Sequence, residues 1–147
     1  MNDIDNLYQE LIIDHSRAPK NFGVLAQKTH FAHGDNPMCG DTIDVELLLN
    51  NDTIENIAFR GDGCAISKAS ASLMTQALKG KSLQESSELF QAFHGMLVDD
   101  QEPPINIGKL IVFVGVKQFP MRVKCATLCW HAFNAALNNI DQPVTTE

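Results

Sequence analysis

Apolar residues recur at helical spacing at the start of the chain. Ile4, Leu7, Tyr8, Leu11 and Ile12 share one face of residues 3–17. Asp3 or Asp5 marks the start of this helix, and Pro19 and Gly23 end it. Residues 18–41 lose the period and are rich in Gly, Asn, Pro and His, which reads as a loop. The period then changes to two. Ile43, Val45, Leu47 and Leu49 predict a strand over 42–49, and Ile54, Ile57 and Phe59 a second. The turn between them, Asn50-Asn51-Asp52, is short enough to require an antiparallel hairpin.

Gly61-Asp62-Gly63 breaks the chain, and helical spacing returns over 65–79 through Ile66, Ala69, Leu73, Ala77 and Leu78. Gly80 suits the position just past that helix. Ser82 and Glu85 form a capping box that opens another helix over 82–97. Residues 105–116 fit two descriptions. Their β-branched content favours a strand, while twelve apolar-rich residues also suit a buried helix. Pro120 opens a last helix over 120–139, closed by Asn138-Asn139, and 141–147 read as a frayed tail. No internal repeat or low-complexity stretch is present.

Length and charge narrow the class. At 147 residues the chain suits one domain with a real core. Its 11 basic and 18 acidic residues give a formal net charge of −7. No basic block stands out, which argues against duplex nucleic acid or an anionic membrane as the main partner. Arg17, Lys20 and Lys28 form at most a local basic patch. The first residues lack a signal-peptide layout, and no apolar run is long enough to span a bilayer. The expectation is a cytoplasmic protein with reduced thiols, whose cysteines bind metal or react rather than form disulfides.

Three cysteines sit in separate patches. They are Cys39 in Asn36-Pro37-Met38-Cys39-Gly40-Asp41, Cys64 in Gly61-Asp62-Gly63-Cys64-Ala65-Ile66-Ser67, and Cys125 in Arg122-Val123-Lys124-Cys125-Ala126-Thr127-Leu128. With Asp41 they supply the donors of a tetrahedral zinc site. The spacing is too wide for paired C-x-x-C knuckles, so the fold must assemble such a site.

Each residue has an ordinary alternative. Cys64 falls at a helix start, where free N–H groups favour a thiolate, but it also suits a small buried residue at a turn. Asp41 suits an Asx turn as well as a ligand. Arg122 and Lys124 flank Cys125 and are expected to lower its thiol pKa. Cys129 lies one helical turn beyond Cys125, as a rival fourth ligand or a small core residue; the core reading is preferred. His15, His30, His33, His94 and His131 form no metal-binding spacing and read as surface or satisfied residues.

Taken together, the motifs resemble those of the iron–sulfur cluster assembly proteins of the NifU-like/IscU-like superfamily, nearest its SufU branch. The resemblance rests on the three cysteine patches, on Ala69-Ser70-Ala71-Ser72, on Phe119-Pro120-Met121, and on Leu7-Tyr8, Ile13-Asp14-His15 and Pro19-Lys20-Asn21 near the start. Lys124 stands where IscU-type scaffolds usually carry a histidine, and the segment around 85–105 resembles the SufU insertion. Cys129 departs from the pattern, in which a small apolar residue is usual.

The resemblance implies one α+β domain over 1–147 (the SufE/NifU-like fold), with a small antiparallel sheet and helices packed on one side. It resolves 105–116 as helix. It implies a metal site of Cys39, Asp41, Cys64 and Cys125 holding one zinc, and a PLP-dependent cysteine desulfurase of the SufS type as partner. Downstream iron–sulfur scaffolds are further expected partners. On this expectation Cys39, on a loop bounded by Pro37 and Gly40, accepts sulfur. Arg122 and Lys124 either steer the incoming persulfide or are ordinary surface charges. The alternatives are a scaffold for a transient [2Fe–2S] cluster and a structural zinc module that only binds a partner.

Overall fold

The computed structural model describes residues 3–138 and 144–145. Helix α1 spans Asp3–Arg17, followed by strands β1 (His30–Asn36), β2 (Asp41–Asn50) and β3 (Thr53–Asp62). Helices α2 (Ala65–Leu78) and α3 (Leu83–Val98) come next. A 3-10 segment, Ile105–Gln118, leads into α4 (Pro120–Leu137), and a short strand β4 (Val144–Thr145) follows. The sheet order is β3-β2-β1-β4. β1, β2 and β3 are antiparallel neighbours, and β4 adds parallel to β1.

The hairpin forms as its pattern requires. Ile43, Val45 and Leu47 of β2 and Ile57 and Phe59 of β3 are buried on the face that α2 and α4 cover. An irregularity between Leu48 and Leu49 shifts the register, so that Leu49 faces Ile54. On α3 the capping box is complete. Ser82 Oγ accepts from Glu85 N at 3.0 Å, and Glu85 Oε1 accepts from Ser82 N at 3.0 Å. Deeper in the core, Phe93 of α3 stacks on Trp130 of α4 with ring centroids 4.8 Å apart.

Two segments differ from the local pattern. Residues 18–41 are not all loop, because β1 lies within them. Its inward positions are Ala32, Gly34 and Asn36, small or polar residues that let α4 pack close. They carry no hydrophobic alternation for a sequence reading to find. Residues 105–118 are helical, as the resemblance implies, but of 3-10 type and kinked at Gly108, whose φ of 63° lies in the left-handed region. Ile107, Leu110, Val112, Phe113 and Val116 are buried there without a strand partner. The frayed tail expected over 141–147 lies outside the described residues, apart from Val144 and Thr145.

The outer face of the sheet carries a buried acid. Glu46 accepts from Leu25 N at 2.8 Å and from Lys28 Nζ at 3.1 Å. Burial alone would raise its pKa, but these two donors outweigh it and hold the carboxyl below its usual range. A depressed folded-state pKa stabilises above the unfolded value, and that stability is lost as pH falls through the folded value. Glu46→Gln is therefore expected to cost about 1–2 kcal/mol near pH 7 and clearly less near pH 3. Urea unfolding at the two pH values measures it.

Candidate metal centre

Three junctions meet at one end of the sheet. The β1–β2 turn supplies Cys39 and Asp41, the β3–α2 junction supplies Cys64, and the first turns of α4 supply Cys125. The β1–β2 turn is built on Asn36, whose carbonyl oxygen accepts from Cys39 N at 3.2 Å and Gly40 N at 2.9 Å. Gly40 has a φ of 77°, which a side chain would resist. Met38, beside Cys39, is exposed.

Cys39, Asp41 and Cys125 each place one candidate ligand atom within 4.8 Å of the others. The Cys39 and Cys125 sulfurs are 3.4 Å apart. Cys64 sits at the rim, with its sulfur 3.7 Å from Asp41 Oδ2 and its backbone N–H donating to Asp41 Oδ1 at 2.9 Å. Cys64 is also the N-cap of α2, and its sulfur accepts from Ser67 N at 3.4 Å. Cys39 and Cys64 are exposed and Cys125 is buried. Asp41 is fully buried.

Gly63 makes room for this arrangement, since a β-carbon there would run into the Asp41 carboxylate. The Gly-Asp-Gly sequence signals a chain break, but not what its second glycine must clear.

The donor chemistry fits a divalent cation. A fully buried carboxylate beside three thiols has no cationic side chain paired with it among the described residues. Buried charge of that kind is paired or coordinates metal. Burial, the Asp41 carboxylate and the neighbouring thiols push the Cys125 thiol well above its ordinary pKa. Burial and then Asp41 push Cys39 up as well. The flanking cations do not lower Cys125 as expected. Arg122 turns outward and lies over the Phe119 ring at 4.4 Å, while the Cys125 sulfur faces the carboxylate.

The remaining candidates fall elsewhere. Cys129 is fully buried, with its sulfur 3.4 Å from Ser70 Oγ and 3.8 Å from the Ala126 carbonyl oxygen. Burial pushes its thiol to about 12. His15 bonds Ser72 Oγ at 2.6 Å, and His33 bonds Asp44 at 2.6 Å. His94 and His131 meet edge to face beside Phe90, and His30 bonds Thr29.

Fold and site together define an α+β protein with a sulfur-rich centre at one end of a small sheet. The chain belongs to the NifU-like N terminal domain family, which it matches over residues 7–126. It is 41% identical over 130 residues to the zinc-dependent sulfurtransferase SufU of Bacillus subtilis (strain 168), covering 88% of each chain. It is 40% identical over 139 residues to the iron–sulfur cluster assembly scaffold protein IscU of Streptococcus pyogenes serotype M1, covering 93% of this chain and 86% of that protein. Among solved structures, FiSufU of Fervidobacterium islandicum AW-1 superposes with a TM-score of 0.83 at 36% identity, covering 87% of this chain and 94% of that one. No helix among the described residues is long and apolar enough to cross a membrane.

Proposed function

We propose that this protein accepts sulfur for iron–sulfur cluster assembly, from a cysteine desulfurase of the SufS type, at a zinc centre of Cys39, Asp41, Cys64 and Cys125. The observation that carries the reading is an asymmetry. Asp41 and Cys125 are buried, while Cys39, in reach of both, sits on an exposed turn. A centre meant only to hold the fold together would be expected to enclose all its donors. The name of the Bacillus relative, a zinc-dependent sulfurtransferase, supports the same reading.

When bound, zinc would keep its cysteine ligands deprotonated at neutral pH. The chain's own part follows from the geometry. The Asn36-based turn presents Cys39 outward, and Asp41, Cys64 and Cys125 remain as the fixed part of the site. The Cys39 thiolate attacks the outer sulfur of the donor's persulfide, R–S–SH. A sulfur–sulfur bond forms on Cys39, the donor's own breaks, and the donor leaves as R–S⁻. One sulfur atom moves with no net oxidation or reduction.

The test incubates the zinc-loaded chain with cysteine and a PLP-dependent desulfurase, then maps added sulfur by mass spectrometry. Mass added on Cys39 supports the proposal, and a chain that never gains sulfur sinks it. The Streptococcus relative's name, a scaffold protein, favours a second reading in which the same thiols hold a [2Fe–2S] cluster. Lys124 before Cys125 argues against it. Anaerobic reconstitution that yields a stable cluster would favour it.

A further inference from the structure

Asn36 is fully buried, yet its side-chain Nδ2 has no hydrogen-bond partner among the described residues. The other end of the carboxamide is fixed, because Oδ1 accepts from Met38 N at 3.2 Å. An amide flip would set Nδ2 against that N–H, so the amino group is the end that points elsewhere. A buried donor left unpaired loses its hydration without compensation and is costly. The residue that bears this cost pairs directly with Asp41 in the β1–β2 register. Paired residues project to the same face of a sheet, so the Asn36 amide stands beside the carboxylate of the centre.

The acceptors around it are unevenly served. Asp41 Oδ1 already receives the Cys64 N–H, and the Cys64 sulfur receives the Ser67 N–H. The Cys39 sulfur has the Asp41 backbone N–H. Among the described residues the Cys125 sulfur meets the carboxylate and the other thiols, and no N–H donor. Three thiolates and a carboxylate around a divalent cation leave a net charge of −2, which a buried site must offset with donors.

On the reading of a zinc centre proposed above, we infer that Asn36 is a positioning residue whose Nδ2 donates to the Cys125 thiolate once the metal is bound. One carboxamide then serves both halves of the site. Its oxygen shapes the turn that exposes Cys39, and its nitrogen steadies the sulfur that stays behind.

The test compares the full chain with Asn36→Leu, which removes both ends of the amide, and Asn36→Ser. A serine hydroxyl can still accept the Met38 N–H as a short turn but cannot replace the amino group. Zinc affinity, measured by competition with a chromophoric chelator, is expected to fall about 10–100-fold in both variants. The melting temperature of the metal-free protein should hardly move in Asn36→Ser. In the Co²⁺-substituted protein, the sulfur-to-cobalt charge-transfer band should shift to longer wavelength, because a thiolate that loses a hydrogen bond gives up an electron more easily. Unchanged affinity with an unmoved band in a folded variant overturns the inference. So does an equal loss of melting temperature with and without metal, which would mark a purely structural role. A wild-type chain that binds neither Zn²⁺ nor Co²⁺ overturns the zinc reading itself, and is distinguishable because it appears before any variant is made.

Discussion

Cys64→Ala is expected to purify with almost no zinc, whereas the wild-type chain carries about one per chain. Two effects of the substitution act together. It removes a sulfur, and it removes the N-cap of α2, where that sulfur accepts the Ser67 N–H. Metal that binds only the folded state stabilises by about 2.7 kcal/mol at a hundredfold excess over its dissociation constant. The zinc-dependent part of the melting temperature, roughly 5–10 °C for a chain of this size, should disappear. Gly63→Ala should behave like Cys64→Ala although it removes no donor, because its methyl group displaces the Asp41 carboxylate. Cys129→Ala should keep its zinc and lose about 1 kcal/mol of stability, since its sulfur packs among Ser70 and Ala126 away from the centre. Elemental analysis beside thermal melts reads all three. Zinc retained in Cys64→Ala would remove Cys64 from the site, and zinc lost in Cys129→Ala but kept in Asp41→Ala would mean that the fourth ligand has been misassigned.

The elements that the chain states locally were legible in it. Helix α3 follows from one capping box, and the β2–β3 hairpin from alternation around the Asn50-Asn51-Asp52 turn signal, of which Asn51 and Asp52 form the turn. Strand β1 was not legible because its inward residues are Ala32, Gly34 and Asn36, chosen to fit beneath α4 rather than to fill a core. The 3-10 segment was not settled by its own residues, because Val112 and Val116 suit a strand as well as a buried helix. Only the resemblance resolved it.

The site divides in the same way. Its candidate residues could be named because glycine and proline mark the junctions that hold them. Their meeting could not be derived, since Cys39 and Cys125 are 86 positions apart and converge only when α4 docks on the sheet. The parts played by Gly63 and Asn36 were hidden for a further reason. Each depends on what folding brings against it: the Asp41 carboxylate over Gly63, and for Asn36 the centre next to Asp41, its partner in the sheet register.

A desulfurase of the SufS type is expected to turn over cysteine several-fold faster when the zinc-loaded chain is added, and Cys39→Ser is expected to abolish that stimulation. The effect is kinetic. The desulfurase must discharge its persulfide before the next cycle, and an exposed thiolate on a short turn can reach it, as exchange chemistry requires. Buried Cys125 cannot approach a second protein without displacing the residues over it. Serine keeps the size of the side chain and the Asn36-based turn but removes the attacking sulfur. The hydroxyl it supplies is nearly all protonated at neutral pH and does not accept sulfur. The variant should therefore fail as an acceptor while Asp41, Cys64 and Cys125 remain in place. Alanine production by the desulfurase, with wild-type and Cys39→Ser protein, measures the effect, and mass mapping locates the sulfur. Stimulation that survives in Cys39→Ser, or sulfur found on Cys125 or Cys129, would remove Cys39 from the acceptor role. If the sulfur went to Cys64, the other exposed cysteine, the exchange would instead start from the α2 N-terminus and the β1–β2 turn would be the fixed part of the site.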